Sequence, residues 1–242
     1  MAAGKGRGGG SRGGARGPKQ RVRTAKRRAP SSTRWLQRQL NDPYVIRAQE
    51  EGFRSRAAYK LIELDDRCRF LKAGKRVVDL GAAPGGWTQV AVLRVGAGRD
   101  GDRVVAVDLG DMDPVPGAAV LRGDLNDEET VGRLRAALDG PADVVLSDMA
   151  APATGHAATD HLRVVALAEA ALDFALAVLA PGGCFVTKVF KGGAERDLLT
   201  RLRQSFATVR HVKPPASRKE SAETYVVATG FRADGEGAPA AP

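Results

Sequence analysis

The stretch that decides the fold is residues 77–87, VVDLGAAPGGW. It reads as a short apolar strand, a glycine-rich turn from Gly81 to Gly86, and the start of a helix. A turn of this kind after a first strand lets the backbone approach a ligand closely, because glycine carries no Cβ. The dinucleotide pattern G-x-G-x-x-G is not met, since Ala83 stands at its third position. The pattern G-x-x-x-x-G-K-[ST] is absent as well, which argues against a nucleoside triphosphate site. Acids mark the ends of three strands: Asp79 here, Asp108 at 22 residues beyond Gly86, and Asp124. A carboxylate at Asp108 can accept both hydroxyls of an adenosine ribose, and one at Asp124 can accept from an adenine amine. Such a set suits a ligand with a ribose, an amine and a positive charge, and it repels a pyrophosphate. The expected cofactor is therefore S-adenosylmethionine, not a nicotinamide dinucleotide.

Outward from this turn, strand and helix signals alternate. Strands are expected over 76–80, 103–107, 119–122, 143–146 and 184–190, and helices over 87–95, 128–138, about 159–179 and 195–206. Upstream, residues 34–51 read as two short helices broken at Asn41–Pro43, and Ser55 as the N-cap of a helix through Tyr59 and Leu64. The last two runs, 209–212 and 224–231, are joined without room for a crossover helix and should pair antiparallel. This order predicts an α/β fold: a doubly wound, mostly parallel, Rossmann-like sheet with an antiparallel last strand.

Asp148 ends the fourth strand in LSDMA, and Lys188 lies inside the fifth in FVTKVF. Lysines are almost never buried without a partner, so a lysine within an apolar strand invites a chemical reading. Neighbouring strands bring the two to the carboxyl edge of the sheet, where ligands of this fold class bind. Lys60 lies in a basic helix upstream, and Glu223 opens the last strand. A hydroxyl is a poor nucleophile until its proton has somewhere to go. A lysine amine takes that proton only in its neutral form, which burial and neighbouring cations favour. A charged Lys188 that stabilises a developing alkoxide is the alternative. His156 and His161 read as surface histidines without a role.

Residues 1–28 hold ten Lys or Arg and no acid, and 38 minus ten leaves 28 basic residues against 28 acidic ones. The net charge of +10 thus resides in the N-terminal stretch. Its Gly/Arg composition predicts a disordered tail over 1–30 that contacts nucleic-acid backbone. A single domain is expected over 31–232, with a flexible end over 233–242. Cys68 and Cys184 are too few for a disulfide framework, so a reducing cytoplasm is the expected location. No apolar run is long enough for a membrane span, and no metal site is expected.

Taken together, SSTRWLQRQLNDPYV, GFRSRAAYKL, VVDLGAAPGGWTQ, VLRGDL, LSDMA, APGGCFVTKVF and ETYVVATG resemble the FtsJ/RrmJ-type heat-shock RNA methyltransferases over about 31–231. The resemblance implies ribose 2′-O-methylation of a uridine in 23S ribosomal RNA, with S-adenosylmethionine as donor. It implies the 50S subunit as partner, with no DNA or membrane, and a monomeric enzyme. It places a catalytic tetrad on Lys60, Asp148, Lys188 and Glu223, and cofactor contacts on Gly85, Trp87, Asp108, Asp124 and Asp148. The tail is longer than the family leads one to expect. The loop AAPATGHAATDH after Asp148 departs from the family pattern, which leaves its contacts to RNA open. Two other readings stand beside this one: a 2′-O-methyltransferase of transfer RNA or another RNA, and a non-catalytic RNA-binding assembly factor.

Overall fold

The structure, a computed structural model, describes residues 30–98, 104–152, 154–190, 192 and 195–233. The predicted N-terminal tail, Pro30 apart, and residues 234–242 lie outside them. The chain divides into two units, one ending at Ile46 and one beginning at Arg47. In the first, helix α1 (Pro30–Leu40) ends where Asn41 Nδ2 donates to the Gln37 carbonyl at 2.7 Å. Helix α2 (Pro43–Glu50) starts on a proline whose missing N–H no helix needs at that position. The expected break at Asn41–Pro43 lies between them.

The second unit contains helix α3 (Ala57–Cys68), strand β1 (Val77–Leu80), helix α4 (Gly86–Val95), strand β2 (Val104–Asp108) and strand β3 (Ala118–Arg122). Helix α5 (Glu128–Leu138), strand β4 (Ala142–Ser147), helix α6 (Ala157–Val178) and strand β5 (Leu179–Phe190) follow. Helix α7 (Arg196–Ser205), strand β6 (Phe206–Val212) and strand β7 (Glu223–Phe231) complete it. The seven strands form one sheet in the order β3-β2-β1-β4-β5-β7-β6. Strands β1 to β5 are parallel, while β7 runs antiparallel to both β5 and β6. The expected doubly wound sheet is present, and the last strand is inserted between β5 and β6.

Both faces of the sheet are covered, which is why its parallel strands are apolar throughout and not alternating. Val78, Leu80, Val105 and Phe185 pack on one side with α5, α6 and α7 residues such as Leu134, Leu172 and Leu202. Val77, Val104, Leu146 and Val186 pack on the other with Leu61 and Leu64 of α3 and with Trp87 and Val90 of α4. Helix α5 is capped by Asp127, whose carboxylate accepts from the N–H groups of Glu129 and Thr130.

Ser55 does not cap α3. Arg56 holds the cap position without a side-chain capping hydrogen bond, and the Ser55 hydroxyl is packed against α4, where a Cβ on Gly86 would fall 2.4 Å from it. Strand β5 starts at Leu179, five residues earlier than the sequence suggests, through an irregular register beside Ala142 and Val144. No helix among the described residues is long and apolar enough to cross a membrane.

Candidate active site

The carboxyl ends of β1, β2, β3 and β4 meet around a cavity of about 440 Å³. Its wall includes Gly81, Asp108, Leu109, Asp124, Asp148 and Met149, and among the described lining residues there is no Lys, Arg or His. Glycine at 81 is dictated by geometry. Its φ is +73°, and a Cβ there would fall 2.6 Å from Met149 Cγ. Asp108 is pre-oriented by backbone donors: Oδ2 accepts from the Ala83 N–H at 3.0 Å and Oδ1 from the Gly110 N–H at 2.8 Å. Each oxygen retains acceptor capacity for a ribose hydroxyl. Asp124 Oδ1 receives both donors of Asn126, at 2.9 Å each. A wall of three carboxylates beside Leu109 and Met149 fits a cationic nucleoside and excludes an anionic phosphate ligand.

Behind the wall, Asp79 is fully buried on β1. Its Oδ2 accepts from Thr88 Oγ1 at 2.7 Å, while Oδ1 finds no partner among the described residues. Burial pushes its carboxyl up to about 7 despite the Thr88 hydrogen bond, and the charges of Asp148 and Asp108 add to the rise.

At the Asp148 side of the cavity stands a cluster of charged and aromatic groups. Lys188 Nζ donates to the Asp148 carbonyl at 2.8 Å and lies 3.2 Å from its Oδ1. Its side chain is 7% exposed, so the burial expected of a lysine in this strand is present, together with its partner. Lys60 Nζ donates to Glu223 Oε2 at 2.9 Å. Tyr225 joins the two pairs. Its hydroxyl donates to Asp148 Oδ1 at 2.8 Å, and Lys60 Nζ stands 5.8 Å from its ring centre. Burial, and then the carboxylates of Asp148 and Glu223, push the Tyr225 phenol well above its usual pKa, which keeps it a donor.

The structure thus brings Lys60, Asp148, Lys188 and Glu223 together and sets Asp108, Asp124 and Asp148 around one cavity. Gly85 and Trp87 take other places. Gly85, at φ +108°, caps α4 beneath the Arg54 guanidinium. The Trp87 ring is buried between α3 and Tyr225, with its Nε1 donating to the Ala57 carbonyl at 2.8 Å. What Trp87 can offer a ligand is its N–H in the first turn of α4. His161 is not a bare surface histidine. Its Nε2 lies 3.5 Å from Glu195 Oε2, and its ring meets Phe190 edge-on.

Two further residues of the site carry little signal in the sequence. Tyr225 is one, although residues i and i+2 of a strand share a face and Glu223 was already in view. Arg54 is the other, and it ties the turn to the segment after β2. Its Nη1 donates to the carbonyls of Pro84 at 3.2 Å and Asp113 at 2.6 Å, and its Nη2 to that of Pro114 at 2.6 Å. Only its position in a basic motif hinted at such a role.

A parallel sheet reversed at its last strand, with a carboxylate-walled cavity at its switch point, is the architecture of the Rossmann-like methyltransferases. Residues 53–231 match the FtsJ-like methyltransferase family. The chain is 62% identical over 236 residues to ribosomal RNA large subunit methyltransferase E of Paramagnetospirillum magneticum, covering 97% of each chain. It is 57% identical over 232 residues to the protein of the same name from Sphingopyxis alaskensis, covering 96% of this chain and 99% of that one. A crystal structure described as a ribosomal RNA methyltransferase from Plasmodium falciparum superposes with a TM-score of 0.65 at 32% identity, covering 74% of this chain and 98% of the other. The chain belongs to the FtsJ-like methyltransferase family. It is an enzyme, and its methyl donor is S-adenosylmethionine.

Proposed function

We propose that the protein methylates the ribose 2′-hydroxyl of a uridine in 23S ribosomal RNA, in the assembled or late-assembling 50S subunit. The near full-length relatives named ribosomal RNA large subunit methyltransferase E support the substrate. The observation that carries the chemistry is the buried Lys188–Asp148 pair beside the cavity. When bound, S-adenosylmethionine supplies a methyl carbon made electrophilic by its sulfonium, and Asp108, Asp124 and Asp148 are the side chains that would hold it. Gly85 and Trp87 would contribute backbone at the first turn of α4. A neutral Lys188 amine has two N–H groups and one lone pair. The carbonyl and carboxylate of Asp148 engage the N–H groups, and the lone pair is left for the proton of the ribose hydroxyl. Lys60 and Glu223, bonded to each other, steady the target ribose. The methyltransferase domain is taken as 31–232, flanked by tails, in a protein that works as a monomer in the cytoplasm.

The test uses labelled donor, separated ribosomal subunits and three proteins: wild type, Lys188→Ala and Lys188→Arg. Wild type should label a uridine ribose of large-subunit RNA, and Lys188→Ala none, with donor binding by calorimetry unchanged. Lys188→Arg should stay below a tenth of wild-type turnover, because a guanidinium does not give up its proton. Higher turnover would replace the base by an electrostatic clamp, and equal labelling of transfer RNA would overturn the substrate.

A further inference from the structure

We infer that Ser217, outside the tetrad, is a positioning residue that fixes the Glu223 carboxylate for the reaction; this rests on the role of Glu223 in the proposed function. Ser217 is 3% exposed, and its hydroxyl donates to Glu223 Oε1 at 2.8 Å. Lys60 Nζ lies 2.9 Å from both oxygens of the same carboxylate, so Oε1 is shared by the ammonium and the Ser217 hydroxyl. The last torsion of a glutamate is broad and is poorly fixed by backbone alone. The ammonium alone can sit astride the carboxylate in more than one rotation; the directed Ser217 hydroxyl on Oε1 selects one of them, and hydrogen bonds to a charged acceptor are the strong ones.

Ser217 can do this because the residue before it, Ala216, is clamped to the helix that carries Lys60. Arg56, Lys60 and Glu63 recur at the spacing of one helix face. Arg56 Nη2 donates to the Ala216 carbonyl at 2.6 Å, and Glu63 Oε2 accepts from the Ala216 N–H at 2.6 Å. The Ser217 N–H donates to the Pro214 carbonyl at 2.9 Å. Further along, the Glu223 N–H donates to Ser221 Oγ at 3.2 Å, and Lys213 Nζ donates to the Ser221 carbonyl at 2.5 Å. One stripe of α3 therefore sets both the lysine and the loop whose hydroxyl orients the lysine's partner. A buried hydroxyl needs some acceptor wherever it lies. Here the acceptor is the carboxylate that also receives Lys60, so displacement of Ser217 alters the tetrad and not only the loop.

The experiment is a double-mutant cycle on the full chain with Ser217→Ala and Glu223→Ala, read as kcat and KM on large ribosomal subunits together with melting temperature. Ser217→Ala is expected to lower kcat about tenfold, with the donor KM within twofold and the melting temperature near wild type. In the Glu223→Ala background it should cost less than twofold further. Wild-type kcat in Ser217→Ala, or the same loss in both backgrounds, overturns the inference. If Glu223→Ala alone keeps wild-type activity, it is the reading of Glu223 that fails. Should the alanine variant not fold, Ser217→Cys keeps the volume with only a weak donor and should show the same drop in kcat. Wild-type kcat there overturns the inference equally.

Discussion

Lys188 and Tyr225 stand directly opposite each other on the antiparallel β5–β7 ladder, and both side chains reach Asp148. The parallel neighbour of Lys188, strand β4, delivers Asp148 at its carboxyl end, while the antiparallel neighbour delivers Tyr225 near its start. Tyr225→Phe removes the hydroxyl from Asp148 Oδ1 and leaves the ring in place beside Trp87. The loss of one hydrogen bond to a carboxylate should cost about 1.5 kcal/mol, or roughly tenfold in kcat. Steady-state kinetics should show the drop with unchanged donor affinity; a tenfold weaker donor Kd and intact kcat would refute this assignment.

Asp108 holds both the glycine turn and the segment after β2 through the N–H groups of Ala83 and Gly110. Asp108→Ala frees these donors and removes the ribose acceptor together. Donor affinity should fall by about 1–3 kcal/mol, roughly five- to 150-fold, with RNA binding little changed. Calorimetry on the variant measures this directly, and wild-type affinity would mean that the adenosine lies elsewhere.

Asp79 makes stability depend on pH. Its folded pKa of about 7 lies above the ordinary carboxylate value near 4, so the unfolded chain binds fewer protons between the two. Its contribution to stability is complete below about pH 4 and is lost as pH rises to about 7. Between pH 5 and pH 8 the wild type should lose on the order of 2 kcal/mol more than Asp79→Asn, which cannot ionise. Urea unfolding at the two pH values checks the difference, and parallel losses would show that Asp79 is ionised in the fold throughout.

Removal of residues 1–28 takes away ten basic residues and no acidic one. RNA affinity should fall, and the slope of log K against log salt should flatten by roughly one unit for each phosphate no longer neutralised. Donor affinity should not change. An unaltered salt slope would take this stretch out of RNA binding.

The sequence made the first strand, its turn and α4 legible because an apolar run bounded by glycines has few other solutions. Asp148 and Lys188 were legible because charge inside a buried strand is costly and so carries information. Trp87 was harder to read. Only the family resemblance set it among the cofactor contacts, and helix geometry turns its ring onto α3 and Tyr225. Ser55 has the residue type of a cap but is spent against Gly86, a contact between elements more than 30 residues apart in sequence that no local pattern reports. The insertion of β7 between β5 and β6 likewise depends on which sheet edge offers the better partners, and short turns do not decide that.

That insertion orders events during synthesis. The named wall of the donor cavity lies between Gly81 and Met149, well before Lys188 in the chain. Glu223 and Tyr225 belong to the last strand, and until it is added β5 presents an unpaired edge. A nascent chain emerging from the ribosome can therefore shape its donor cavity before it can shape the far side of Lys188. On the proposed assignment the enzyme is armed last, by the strand that also joins β6 to the sheet, and an incomplete translation product cannot methylate RNA.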